Sequence, residues 1–210
     1  MLILNERGEF VSNSQIIKEN QTLKEASSAE DFIIEDGVLK EYTGSGGDVT
    51  IPDGVVSIGP SAFLGCDSVT SVIIPNSTTD IGYTAFCGCS SLANIVIGDN
   101  VTHIGEAAFS NCSSLKNIII PDSVISIGNY VFEHCYSLTN ITLGTGLKSI
   151  GYCAFKSCSA LKSLSIPSSV TEIGLGAFYD TLKDFTIICD RNSYADEYAK
   201  TQNIKVQYIN

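Results

Sequence analysis

Cysteine and histidine are the residue types here whose chemistry is nucleophilic, redox-active or metal-binding. The chain has eight Cys and two His among 210 residues. Cys87 and Cys89 stand one residue apart, like half of a zinc site, with His103 and His134 as the available imidazoles. A structural zinc needs four such ligands, normally as two close pairs, and no second pair occurs at that spacing. No nucleophile elbow, phosphate-cradling loop or Cys–His pairing with a mechanism is present either. The acidic residues fall singly on turns, without the convergence that acid–base catalysis requires. The residue types therefore predict no metal, no cofactor and no enzyme. His103 and His134 read as surface residues.

The cysteine spacing carries different information. Cys66, Cys89, Cys112, Cys135 and Cys158 are 23 residues apart. The same period governs Ile58-Gly59, Ile81-Gly82, Ile104-Gly105, Ile127-Gly128, Ile150-Gly151 and Ile173-Gly174, and also Phe63, Phe86, Phe109, Phe132, Phe155 and Phe178. Ala precedes each Phe, except for Val131. A fixed period of this length means one supersecondary unit stacked on itself. No unit can bury its apolar side alone, so the units must stack as rungs of a solenoid. Phe109 and Phe132, in the middle of the stack, are expected to be almost fully buried.

Each rung contains an apolar run closed by Pro or Gly, such as Val72-Ile73-Ile74-Pro75 and Ile118-Ile119-Ile120-Pro121. A strand alternates faces, so Val72 and Ile74 point inward while Ser71 and Ile73 point outward. A second aliphatic pair, such as Val124/Ile127, predicts a shorter extended segment on the other side of the coil. The Gly after Ile marks a corner where a Cβ would clash or φ is positive. Ala-Phe fills the core from a short turn or 3₁₀ piece, with Phe supplying the large buried area. Two rungs depart from the pattern. Polar Thr78 replaces an inward aliphatic, and the sixth rung reads as two residues short between Thr181 and Phe185, as if the stack ended there.

The motif Ser-x-Ile-Gly-x-x-Ala-Phe-x-x-Cys-x-Ser-Leu-x-x-Ile-x-Ile-Pro resembles the BspA-type leucine-rich repeat of bacterial cell-surface proteins. The rungs Ser126 to Leu143 and Ser149 to Pro167 match it closely, and the resemblance covers about residues 32 to 210. It implies a solenoid of leucine-rich-repeat type, mainly β with short turn or 3₁₀ segments, whose parallel sheet lines a concave face. It also implies an extracellular or cell-surface setting and adhesion to a host or matrix protein.

The ends read as caps. Residues 31–48 form an N-terminal hairpin cap, in which Phe32-Ile33-Ile34 and Val38 to Tyr42 flank the hairpin-turn dipeptide Asp36-Gly37. The solenoid occupies 49–188. Residues 189–210 form a helix–strand cap, with Ser193 and Asp196 as the helix-start pair, Asn203 as its end and Ile204 to Tyr208 as an edge strand. Residues 1–30 stand outside the repeat. They read equally as a linker or as a short helix from Ser14 to Ser28 with Ile16, Ile17, Leu23 and Ala26 on one side.

Composition narrows the partners. Apolar residues make up 44% of the chain, and net charge is −11 with only 12 Lys and Arg. Nucleic-acid binding needs a basic stripe to displace counterions, and none is present. No apolar run reaches the 18 residues of a membrane span. Met1 to Arg7 lacks the basic start and apolar length of a signal peptide, so export is expected from the resemblance alone and a cytoplasmic location stays open.

A protein partner is then the expected ligand. Two columns are expected on the concave face. One runs Ser71, Asn94, Asn117, Asn140, Ser163, Asp184; the other runs Thr50, Ile73, Val96, Ile119, Thr142, Ser165, Thr186. Ile73, Val96, Ile119, Asn94, Asn117, Asn140 and Thr142 are the candidate binding residues. Exposed contiguous apolar surface marks partner sites, but β-branched residues also simply suit strands, and the Asn run also suits a hydrogen-bond ladder. The competing functional reading is a spacer that projects another part of a larger surface protein, or an intracellular scaffold. A fallback surface lies on the convex side around Tyr83, Tyr130 and Tyr152. The five repeat cysteines are expected to be buried thiols acting as small hydrophobes, unable to bridge because neighbours point the same way. Cys87 and Cys153 are expected to be the outward, fastest-labelling thiols.

Overall fold

The computed structural model describes residues 2–4, 10–12 and 28–209. Within them the 23-residue unit becomes a parallel β-solenoid of about seven turns. Each rung contributes two strands to two separate ladders. The longer strands, Gly47–Thr50, Val69–Ile73, Asn94–Val96, Asn117–Ile119 and Asn140–Thr142, form one parallel sheet. Ser163–Ser165, Thr186–Cys189 and Lys205–Tyr208 form a three-stranded parallel sheet at the C-terminal end. The two-residue strands, Ser57–Ile58 through Glu172–Ile173, pair Ile on Ile in an eight-stranded sheet with the N-terminal hairpin at its edge. The second extended segment expected from the sequence is this short-strand ladder.

The core between the ladders is a column of rings. Consecutive Phe rings from Phe63 to Phe178 stack at 4.7–5.6 Å, within 21° of parallel. Those separations track the roughly 4.8 Å spacing of parallel strands. Phe109 and Phe132 are fully buried. The column continues past the repeat at both ends. Tyr42 stacks on Phe63 at 4.8 Å with Phe32 beyond it, and Phe185 stacks on Phe178 at 5.0 Å.

The turn carrying each Phe is itself a hydrogen-bonded ladder. The Phe86 N–H donates to the Ala108 carbonyl at 2.8 Å, and the Phe109 N–H donates to the Val131 carbonyl at 3.0 Å, each in the next rung. Turns i to i+3 within each rung complete it, for example Cys112 N–H to the Phe109 carbonyl. Two positions in this turn hold left-handed backbone on successive rungs. Ser61, Thr84, Ala107, Tyr130 and Cys153 have φ between 50° and 59°. Gly65, Gly88, Asn111, His134, Ser157 and Asp180 have φ between 60° and 75°. The enrichment in Gly, Asn, Asp and His at the second position follows from the lower cost of that conformation for them.

The glycine after each Ile has the other role that its spacing allows. None of Gly82, Gly105, Gly128, Gly151 and Gly174 has positive φ. A Cβ added at each would instead come within 3 Å of the preceding rung's backbone. Thr78 is fully buried, and its hydroxyl donates to the Val55 carbonyl at 2.9 Å, so its polar atom is satisfied inside the stack.

The sixth rung is not short. Ser163, Leu164 and Ser165 pair with Thr186, Ile187 and Ile188, which keeps the full 23-residue spacing. The aliphatic position has instead moved by one residue, from the expected 184 to Phe185, whose ring joins the Phe column. Thr186 and Ile188, not Asp184 and Thr186, therefore end the two columns.

The hairpin Phe32–Glu35/Val38–Tyr42 turns at Asp36-Gly37, both left-handed, and Val38–Tyr42 pairs in parallel with Ser57–Ile58. At the other end the helix Tyr194–Thr201 starts with Ser193 Oγ accepting from the Asp196 N–H at 3.2 Å. The Asp196 carboxylate is buried. It accepts from the Asn192 N–H, from Lys200 Nζ at 2.8 Å and from the Tyr208 hydroxyl. The helix ends at Thr201, and Asn203 follows in the left-handed position of a helix terminus. Lys205–Tyr208 is the edge strand. The helix considered for Ser14 to Ser28 lies outside the described residues except at Ser28, which caps the 3₁₀ turn Ala29–Asp31.

Candidate binding surfaces

On the long-strand face, parallel pairing sets identical repeat positions side by side. Asn94 pairs with Asn117 and Asn117 with Asn140, and all three side chains are exposed. Asn140 Nδ2 donates to Asn117 Oδ1 at 2.8 Å, so part of the column is a side-chain ladder. Beside it Val96 and Ile119 are half-buried and Thr142 is exposed. Ile73 departs from expectation. It is only 9% exposed, registered between the buried Thr50 and Val96. The three-residue apolar stripe is thus reduced to Val96 and Ile119, with Ile73 on the same face but covered by its neighbours.

The cysteine column is buried from Cys89 to Cys158, and Cys66 in the first rung is half-buried. Each thiol donates to the carbonyl of a Phe one rung earlier: Cys89 to Phe63, Cys112 to Phe86, Cys135 to Phe109 and Cys158 to Phe132, at 3.1–3.2 Å. The position therefore selects a small side chain with a weak donor, more than the small hydrophobe expected. Thr181 keeps a donor there, bonding the Phe178 carbonyl at 3.0 Å. Burial pushes the Cys89 and Cys158 thiols up to about 12, which removes them from nucleophilic chemistry at neutral pH. Cys87 is half-buried, but Cys153 is only 6% exposed, against the outward placement expected. Its backbone is left-handed and its side chain lies against the next rung's turn, where the sulfur would be 3.2 Å from a Cβ placed on Gly176.

His103 is exposed, bonded to the Thr102 hydroxyl at 2.8 Å and 3.6 Å from Asp80. His134 is 3.0 Å from the Tyr136 hydroxyl and 3.7 Å from Glu133. Among the described residues no group of three or more Cys, His, Asp or Glu converges as a metal site would require.

The turn side carries the most exposed apolar groups. Tyr83, Tyr152, Leu175 and Tyr179 are all exposed, and the Tyr130 and Tyr152 rings meet edge-on at 5.3 Å. Leu175 and Tyr179 were not singled out from the sequence. Their signal was present, because both occupy outward repeat positions where other rungs carry Glu106, Asn129, Glu133 or Lys156.

This solenoid, with two ladders, an aromatic column and no converging catalytic groups among the described residues, is of the leucine-rich-repeat class. The chain belongs to the BspA type leucine rich repeat region family, whose profile matches residues 33–119 and 79–207 in six copies. Leucine-rich-repeat proteins are generally non-enzymatic, and this family is often surface-associated. A leucine-rich cell surface protein from Faecalibacterium prausnitzii is 30% identical, with a TM-score of 0.58, over 78% of this chain and 55% of that one. The T. pallidum leucine-rich-repeat protein is 29% identical, with a TM-score of 0.55, over 78% of this chain and 71% of that one. The pneumococcal vaccine antigen PcpA, 23% identical with a TM-score of 0.60, shares the fold over 78% of this chain and 50% of its own. Comparison with curated protein sequences yields no match. Among the described residues no helix is long and apolar enough to cross a membrane.

Proposed function

We propose that this chain is a non-enzymatic protein-binding module of a surface-associated, adhesin-like repeat protein, and that it engages its partner through the solenoid surface. The observation that supports this is the long-strand face. Asn94, Asn117, Asn140 and Thr142 are exposed, beside the half-buried Val96 and Ile119, all at a spacing set by backbone pairing. Side chains on such a ladder lose little freedom on binding, so their contacts are not offset by ordering. Apolar groups then supply contact area and the amides supply orientation.

The test is Val96→Lys combined with Ile119→Lys. Both positions are outward, so the fold is expected to persist by circular dichroism and thermal melting. Immobilised parent and variant are then compared for capture of matrix proteins identified by mass spectrometry. Capture by the parent that the folded variant loses supports the reading. If the parent captures no protein reproducibly, the binding reading falls and a projecting spacer takes its place.

A further inference from the structure

Two clefts meet at one side chain on the turn side of the solenoid, and that side chain is Tyr152. The first cleft, about 400 Å³, is lined by the repeat glycines Gly128, Gly151 and Gly174. Its lining is mixed polar and apolar and includes Glu106 and Glu172. Glu106 accepts one hydrogen bond, from the Asn129 amide at 3.2 Å. Neither carboxylate has a cationic partner among the described residues. The second cleft, about 390 Å³, lies on the other side of Tyr152 and is lined by Tyr130, Leu175, Tyr179 and Gln202. Its one cation, Lys156, is held by Glu133 at 2.8 Å and leaves the neighbouring carboxylates unneutralised. Leu175 is 69% exposed, Tyr179 67% and Tyr152 43%, and Tyr130 fixes the Tyr152 ring edge-on.

From this juxtaposition we infer that Tyr152 is the ridge of a two-part peptide site. It takes a protein segment carrying Arg or Lys beside a bulky apolar residue. The apolar side chain enters the Tyr130/Leu175/Tyr179 cleft. The cation enters the glycine-lined cleft, which Glu106 and Glu172 border, against the Tyr152 ring. Three contiguous exposed apolar side chains mark a partner surface, and tyrosine is enriched at the energetic centres of interfaces. Charge decides the partner. Cations are attracted both by ring faces and by unneutralised carboxylates. A second copy of a chain with net charge −11 is disfavoured by the same charges, as is an anionic membrane. The inference rests on the reading of the chain as a protein-binding module but uses a different face from Val96 and Ile119.

The probe is the capped peptide acetyl-Ser-Arg-Phe-Ser-amide, titrated into the ¹⁵N-labelled full chain at neutral pH and followed by two-dimensional NMR. The controls are acetyl-Ser-Glu-Phe-Ser-amide and acetyl-Ser-Arg-Ser-Ser-amide. The expected result is a saturable shift of the Gly151, Tyr152, Gly174 and Leu175 amides by the Arg-Phe peptide. Both controls should bind at least five-fold more weakly. Tyr152→Ala should abolish the shifts, and Glu106→Gln with Glu172→Gln should raise Kd at least three-fold while leaving the spectrum otherwise intact. Equal binding of the Glu-Phe peptide, indifference to the Gln pair or absence of saturable shifts overturns the proposal. So does a neutral oligosaccharide, cellotriose, that saturates the same amides at lower concentration. Because the readout is residue by residue, failure of the strand-face substitutions to affect capture leaves this result standing, and the converse holds.

Discussion

The Cys112 thiol lies 3.2 Å from the carbonyl oxygen of Phe86, one rung earlier in the stack. That carbonyl also accepts the Cys89 N–H at 3.2 Å, so it stays paired if the thiol is removed. Cys112→Ala should therefore lose the sulfur's packing and a weak bond without orphaning an acceptor, for a cost of about 1–2 kcal/mol. Chemical denaturation of the two proteins measures it. A cost above about 3 kcal/mol would exceed what those two losses supply.

The same column makes the fold sensitive to alkali. Burial raises the thiols of Cys89 and Cys158 to about 12, and those of Cys112 and Cys135 well above the ordinary 9. Above pH 9 the unfolded chain releases these protons while the folded chain keeps them. The unfolded state then binds fewer protons, and stability falls with pH. The contribution is complete below pH 9 and is lost between 9 and about 12, at a slope of up to ~1.4 kcal/mol per pH unit for each thiol. Urea midpoints at pH 8.0, 9.0, 9.5 and 10.0 should decline increasingly steeply. An unchanged midpoint across that interval contradicts the buried-thiol ladder.

Alkylation of the native protein should label Cys66 and Cys87 first, because these two are half-buried while the other six are buried. Peptide mapping after a short iodoacetamide pulse at pH 8 gives the order. Labelling of Cys153 as fast as Cys87 would place its side chain outside rather than against the next rung's turn.

Phe109→Ala and Phe132→Ala should each cost about 3–5 kcal/mol, since each removes a fully buried ring from between two stacked neighbours. A loss below about 1 kcal/mol would be incompatible with that burial.

Gly128→Ala should destabilise the fold, whereas Ala107→Gly should not. A Cβ at Gly128 would sit 2.8 Å from the Glu106 backbone nitrogen, so the rungs must part, at about 1–3 kcal/mol. Ala107 has φ +55°, where its Cβ costs ~1–2 kcal/mol and glycine is unstrained. Gly also enlarges the unfolded ensemble, so the net effect should be neutral to about 1 kcal/mol stabilising. Thermal melts of both variants decide it.

The period made the rung legible because each repeat position faces one physical demand on successive rungs: a ring at Phe109, no Cβ at Gly128, a small side chain at Cys112. Information that depends on neighbouring rungs was harder to read. Ile73 obeys the outward alternation of its strand, yet Thr50 and Val96 on either side leave it 9% exposed. Cys153 is outward by position and shares its left-handed backbone with Ala107 and Tyr130, yet it alone of the three is buried, which its own repeat unit does not display. In the sixth rung the apparent shortening came from following the apolar residues, whereas the backbone register follows hydrogen bonds and kept its count. The Tyr152 ridge draws on residues of several rungs and on the terminal helix segment at Gln202, and no single repeat encodes it.

The short-strand ladder pairs Ile104 with Ile127, Ile127 with Ile150 and Ile150 with Ile173, always at a separation of 23. The consequence is a quantised chain length. Adding or deleting one whole unit between Gly105 and Gly151 leaves every remaining residue facing the same kind of neighbour. Such a change lengthens or shortens the molecule by one strand spacing, roughly 4.8 Å. A change of one residue fewer or more turns inward side chains to solvent along the affected strand. Gene rearrangements that resize this protein can therefore succeed in steps of 69 nucleotides, which makes reach along the stack an inheritable variable separable from the chemistry of either face.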